Sequence, residues 1–225
     1  MGTSDRCEDE LNYTEMSNDV IRFMWENKIS MATLAGHGLG AKLALATGCY
    51  NPERVTGIIS LDRCPMDQTY VQPYQELNGY LNHLKDIELG RGFTHISEEL
   101  KERIKDPKWR SIFHSQLYKE GSKFNWNFNL NLLQRNLSSK QNDCLFNWPR
   151  NMRFWVGRAL FLFPEYSRYV HLGTNTIAMY KTCVHLKGFN KDIFSIQGDE
   201  NPLSNSLFIK ITGYTSLRMI TETMH

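Results

Sequence analysis

A chain of 225 residues with 41% hydrophobic and 22% charged side chains is long enough for one domain with a sizeable core and too apolar for wholesale disorder. A net charge of +2 without a basic stripe gives no electrostatic footprint for nucleic acid, which is therefore not an expected partner. The five cysteines (Cys7, Cys49, Cys64, Cys144, Cys183) are scattered and never in C-x-x-C spacing, which argues against a disulfide framework and a structural zinc site; no metal and no cofactor is expected.

In chain order, residues 1–15 are polar and read as an arm or loop. Their acidic side chains (Asp5, Glu8, Asp9, Glu10) are untypical of a transit peptide, and Met1–Arg6 lacks the Ser/Thr that myristoylation requires. Asn12-Tyr13-Thr14 and Asn136-Leu137-Ser138 match glycosylation sequons, but with no signal peptide ahead of them chance matches are expected. The apolar spacing of Val20, Ile21, Phe23 and Met24 predicts a helix over Ser17–Glu26, with Ser17 as its cap. The nearly unbroken apolar run Ile29–Leu34 predicts a strand buried on both faces.

Leu39–Thr47 is predicted helical and Val55–Leu61 is the next strand, closed by Asp62 and the Cys64-Pro65 break. Over 66–123 the pattern changes to several short helices: Gln75–Ile87, Ser97–Ile104 with Ser97 as N-cap, and one opened by Asp106-Pro107. Helices inserted between two strands read as a lid. Ser122–Leu137 passes from an extended stretch into a helix, Arg158–Phe163 is a third strand and Thr182–Lys187 a fourth, and a last helix is expected over 206–220. The longest apolar run, around Arg158–Pro164, is far too short to cross a bilayer, so no transmembrane segment is expected.

The chemistry-bearing stretch is Gly36-His37-Gly38-Leu39-Gly40, between the first strand and its helix. It has the spacing of the G-x-S-x-G nucleophile elbow, with Gly38 where the serine would stand. Such a turn is strained at its tip, and glycine enters that region at little cost, so glycine keeps the bend and deletes the hydroxyl. The flanking Gly36 and Gly40 are expected to let strand and helix approach closely. Ser30 and Ser60 lie on strands, away from the tip.

Three segments together resemble the α/β-hydrolase superfamily, and within it the small esterases of the bacterial YbfF type and the mitochondrial α/β-hydrolase-domain proteins. Leu34-Ala-Gly-His-Gly-Leu-Gly-Ala-Lys42 parallels L-x-G-H-S-M-G-G-K, Ile59-Ser-Leu-Asp-Arg-Cys-Pro65 parallels a strand ending in V-D-I-S-P, and Phe124–Leu133 parallels F-x-W-R-x-N-L-x-x-L. The resemblance implies an α/β fold corresponding to the C-terminal half of an α/β hydrolase: a mostly parallel sheet, helices on both faces, and a single partial domain over 1–225 with a helical lid over 66–123.

It also implies a Ser–Asp–His triad of which Gly38 and Asp62 hold the first two positions. The histidine position drifts between 190–192 and 198–199, and no histidine lies between His185 and His225. Asp62 reads either as the retained acid or as a strand-end cap, His37 as a structural hydrogen-bonding residue, and Trp126 with Phe128 as core. Without nucleophile and base the activated attack of a triad cannot operate, so the chain is expected not to be an enzyme.

Only 28 residues precede Ile29, too few for the strands that come before the elbow in the resembled family. The first strand would then be an open edge, from which a partner is expected, either a chain carrying the N-terminal half of the fold or another subunit of a larger assembly. The expectation is a catalytically inactive, α/β-hydrolase-like structural subunit of a multiprotein complex, and the family's mitochondrial members imply a mitochondrial one. Two alternatives stand beside it: a residual esterase or thioesterase using Cys64 as nucleophile, and a lid-covered module that binds an acyl ligand in the room left by the missing serine.

Overall fold

Short polar caps and alternating apolar runs set the elements in the computed structural model, which describes residues 12–67, 71–138, 146–149, 152–164, 167–183 and 193–196. Helix α1 (Tyr13–Glu26) begins at Asn12, whose side-chain oxygen accepts from the Glu15 amide at 2.7 Å. The expected cap Ser17 lies a turn inside instead, buried and 3.2 Å from the Thr47 hydroxyl. Strand β1 (Ala32–His37) runs into helix α2 (Leu39–Tyr50), which returns the chain to strand β2 (Val55–Leu61).

Helices α3 (Gln72–Lys85), α4 (Phe93–Arg103) and α5 (Pro107–Ser115) follow. Asp106 caps α5 as its sequence implies, accepting from the Lys108 amide, with proline at the first helical position where a missing N–H costs nothing. Helix α4 starts a turn earlier than expected, capped by Gly92 at φ 92°, and Ser97 sits within it. Strands β3 (Leu117–Glu120) and β4 (Lys123–Trp126) form an antiparallel hairpin before helix α6 (Leu130–Ser138). Strand β5 (Arg158–Pro164), helix α7 (Leu172–Thr182) and strand β6 (Ile193–Ile196) complete the described order.

The four-stranded sheet has the order β1-β2-β5-β6 and is parallel throughout. Its fourth described strand is β6; of the expected Thr182–Lys187 strand, Thr182 ends α7, Cys183 makes a single parallel bridge to Trp155, and the rest lies outside the described residues. The expected helix over 206–220 lies outside the described residues, as do Cys7, Cys144, His185, His225 and both stretches that compete for the histidine position.

Two apolar clusters divide the described chain. One lies between sheet and helices, around Leu45, Ile58, Trp155, Phe161 and Met179. The other lies among the helices after β2, where Leu81, Leu84, Ile96, Leu100 and Phe113 are buried. Trp126 belongs to the second cluster, 8% exposed, with its ring 5.8 Å from that of Phe128, as a core reading of the pair requires. No residue of β1 is fully buried: its positions alternate half-buried and exposed, and among the described residues it pairs with β2 alone. The expectation of burial on both faces is therefore corrected. Among the described residues the apolar run leads into an edge strand, and its alanines at 32 and 35 are small enough to sit there.

Candidate functional site at the carboxyl ends of the strands

Because the strands are parallel, their carboxyl ends share one edge of the sheet, the edge at which open α/β sheets bind ligands. The register places Gly36 opposite Ser60 and Leu61 opposite Leu162, so the residues just past β1, β2 and β5 converge there.

Gly38 stands at the tip of the turn with φ 63° and ψ −127°, a conformation few L-residues adopt. Its amide donates to Leu61 O at 3.1 Å and its carbonyl accepts from the Ala41 amide at 3.1 Å, which locks the bend between β2 and the start of α2. A Cβ on Gly36 would overlap the carbonyl of Gly40 and the amide of Ala41, so Gly36 is the residue that lets strand and helix approach. Gly40 is not: a Cβ there meets nothing within 4 Å. At Gly38 the nearest atom to an added Cβ is Nη2 of Arg63, 3.9 Å away, so crowding does not account for the missing side chain.

Asp62, 2% exposed, occupies the left-handed region at φ 55° directly after β2. Its amide donates to Leu162 O at 2.8 Å, and one carboxylate oxygen accepts from the Ser167 hydroxyl at 2.5 Å. Ser167 in turn accepts from the Tyr169 and Val170 amides at 3.0 and 2.9 Å, so Asp62 is wired to the loop after β5 rather than capping its own turn alone. Burial pushes its carboxyl above the ordinary range, against the opposing pull of Ser167, Arg63 and His37. The His37 imidazole is held below its usual value by desolvation first and by Arg63 second.

Arg63 completes the group. Its Nη1 donates to Asp62 O at 2.6 Å, its Nη2 to the Tyr74 hydroxyl at 3.3 Å, and its guanidinium lies 3.5 Å from the centre of the Tyr169 ring. Ser60 donates to Arg63 O at 2.8 Å and so fixes the turn that presents the arginine. Ser30 precedes β1, with its carbonyl accepting from Arg54. Cys64 is fully buried and its thiol is pushed up to about 12, which removes it as a substitute nucleophile. Among the described residues, no group of three or more His, Cys, Asp and Glu side chains could hold a metal ion.

Of the positions singled out in the sequence, Gly38 and Asp62 lie at this one edge, each directly past its strand. Sequence reasoning missed Ser167, which is 105 positions from Asp62, and Arg63, which was visible only as a neighbour in the Asp62-Arg63-Cys64 segment. The available signal for Ser167 was a small polar residue just beyond the third strand, at the same sheet edge.

No known family profile matches the chain. Two curated relatives are the sn-1-specific diacylglycerol lipase ABHD11 of Xenopus laevis, 25% identical over 166 residues, and that of Mus musculus, 23% identical over 167 residues. Each alignment covers 72% of this chain and 52% of the relative, so the chain spans about half the length of the curated relatives it matches. Among solved structures, a marine microorganism esterase superposes with a TM-score of 0.72 at 19% identity, covering 88% of this chain and 73% of that one. E-2-(acetamidomethylene)succinate hydrolase gives 0.53 at 15% identity, covering 87% and 68%.

These likenesses correct the expectation that the chain is not an enzyme. The relatives in sequence and in fold bear the names of active hydrolases, and the elbow bend and the buried Asp62 are in place. The expectation rested on the missing hydroxyl at Gly38 and on the missing histidine, whose candidate positions lie outside the described residues. Parallel sheet, elbow, strand-end aspartate and these likenesses agree: the chain has the α/β-hydrolase fold and is similar in sequence to hydrolases of that superfamily.

Proposed function

We propose that the chain supplies the elbow and lid of a hydrolase-type site that acts on acyl esters. The observation that carries this reading is the bend at Gly38, which keeps the elbow conformation and leaves the first N–H groups of α2 without intrahelical partners, at the place where an ester carbonyl oxygen gains negative charge during attack. Water takes the part of the absent hydroxyl: its oxygen bonds to the carbonyl carbon, the ester C–O bond breaks, and the departing alkoxide takes the proton, leaving a carboxylic acid and an alcohol. Catalysis that rests on binding and oxyanion donors alone retains roughly 10³–10⁴-fold over water.

The reading includes a partner chain that adds strands to the open edge of β1 through main-chain hydrogen bonds, within a larger assembly. Mitochondria are the proposed location, on the resemblance of the elbow and lid segments to mitochondrial α/β-hydrolase-domain proteins. The names of the curated relatives support a glycerolipid ester as the first substrate to try.

The test is turnover by the assembly purified from its native source, with short acyl esters and diacylglycerol offered in ¹⁸O-water. Catalysed release of acid above the buffer rate, with no covalent labelling of Cys64 by a thiol-directed probe, is the expected result. Hydrolysis no faster than in buffer alone overturns the reading.

A further inference from the structure

A recess of about 140 Å³ opens between α5 and the loop after β5, lined by Asp106, Lys108, Trp109, Ile112, Arg168 and Tyr169. Gly38, Asp62 and Arg63 are not part of its lining, so it is separate from the group at the elbow. Its apolar wall is built on the core: Trp109 stacks on Phe113 with ring centres 5.8 Å apart, and Tyr169 packs against both apolar clusters. Glu76 of α3 ties the two sides together, accepting from Arg168 Nη2 at 3.1 Å and from Trp109 Nε1 at 3.4 Å. The half-buried charges on the wall are only partly used. Among the described residues, Arg168 donates through Nη2 alone, and Asp106 accepts only through the oxygen that caps α5 at the Lys108 amide.

We propose that this recess binds a zwitterionic amino acid with an aromatic side chain. The carboxylate sits on the Arg168 guanidinium, the ammonium on Asp106, and the ring against Trp109, Ile112 and Tyr169. Size supports the ring, since a single six-membered ring is held by an apolar cavity of about 150 Å³. Charge supports the zwitterion. A simple anion would meet the carboxylate of Asp106 and a simple cation would meet Arg168 and Lys108, whereas a ligand with both charges on one carbon answers both signs. Nothing in this arrangement uses a nucleophile or an oxyanion donor, so the inference stands apart from ester turnover and survives its failure.

The experiment is titration of the full chain, in its native assembly, with para-fluorophenylalanine followed by ¹⁹F NMR. Its N-acetyl derivative, which lacks the ammonium, and its amide, which lacks the carboxylate, are the comparison probes, and glycine is the competitor without a ring. Saturable binding of the free amino acid is expected, at least about tenfold tighter than that of either derivative, a margin in keeping with one charge-assisted pair. An equal concentration of glycine should not displace it. Asp106→Asn keeps an acceptor for the Lys108 amide and removes the charge, and should weaken the amino acid by about tenfold while leaving the N-acetyl derivative unchanged. Ile112→Trp, at a position 48% exposed and therefore tolerant of a larger side chain, should abolish binding by filling the recess. Absence of saturable binding, equal binding of either derivative, displacement by glycine, or unchanged binding by either folded variant overturns the proposal.

Discussion

At the scale of single residues, the site is a balance between burial and charge, and Asp62 shows which wins. Desolvation outweighs the Ser167 hydrogen bond and the charges of Arg63 and His37, so its carboxyl lies above the ordinary 3.8 in the folded chain. The native state therefore binds this proton more tightly than the unfolded state does. Its contribution to stability is full below pH 3.8 and is lost as pH rises through that value to the raised folded one. His37 works in the opposite sense: with its folded value lowered, it withdraws stability as pH falls below 6.5. Comparing wild type with Asp62→Asn separates the two, because asparagine keeps an acceptor for Ser167 and cannot titrate. Urea unfolding from about pH 4 to about pH 7 should show the variant gaining on the wild type as pH rises. A variant that loses ground with rising pH would show that folding favours the ionised form of Asp62, and that the neighbouring charges outweigh its burial.

At the scale of elements, the turn between β1 and α2 puts two glycines of one motif to opposite tests. Gly36→Ala drives a methyl into the backbone of Gly40 and Ala41, where neither atom can move aside without unmaking the bend, and should cost about 1–3 kcal/mol or more. Gly40→Ala adds a methyl in open space inside a helix and should gain about 0.5–1 kcal/mol. Chemical denaturation of both variants reads the difference directly. The sequence alone treats the two positions alike, and that marks the limit of its legibility.

Local chemistry was readable: the limits of β2, the Asp106-Pro107 start of α5 and the glycine elbow follow from neighbouring residues. The start of α1 was misplaced because Ser17 and Asn12 are both good caps, and only the packing of Ser17 against Thr47 takes it inside the helix. Arg63 and Ser167 were missed because what places them is the pairing of β2 with β5, a tertiary event that leaves no local periodicity.

For the molecule as a whole, the deciding feature is the free side of β1. A central β strand in an α/β sheet is paired on both sides, yet among the described residues β1 hydrogen-bonds to β2 only, and Ile29 and Met31 just before it are 37% and 58% exposed. Unpaired amides and carbonyls beside apolar side chains form a template that recruits another strand, whether a partner's or that of a second copy. The isolated chain should therefore show concentration-dependent association in sedimentation velocity, and adding the partner should replace it with one defined complex. Ala35→Lys puts a charge at an exposed position of the same strand, which should suppress self-association without unfolding the sheet, since position 35 is not part of the core. A wild-type chain that sediments as a monomer at all concentrations and melts in one cooperative transition would mean that β1 tolerates solvent, and the partner would lose its physical warrant.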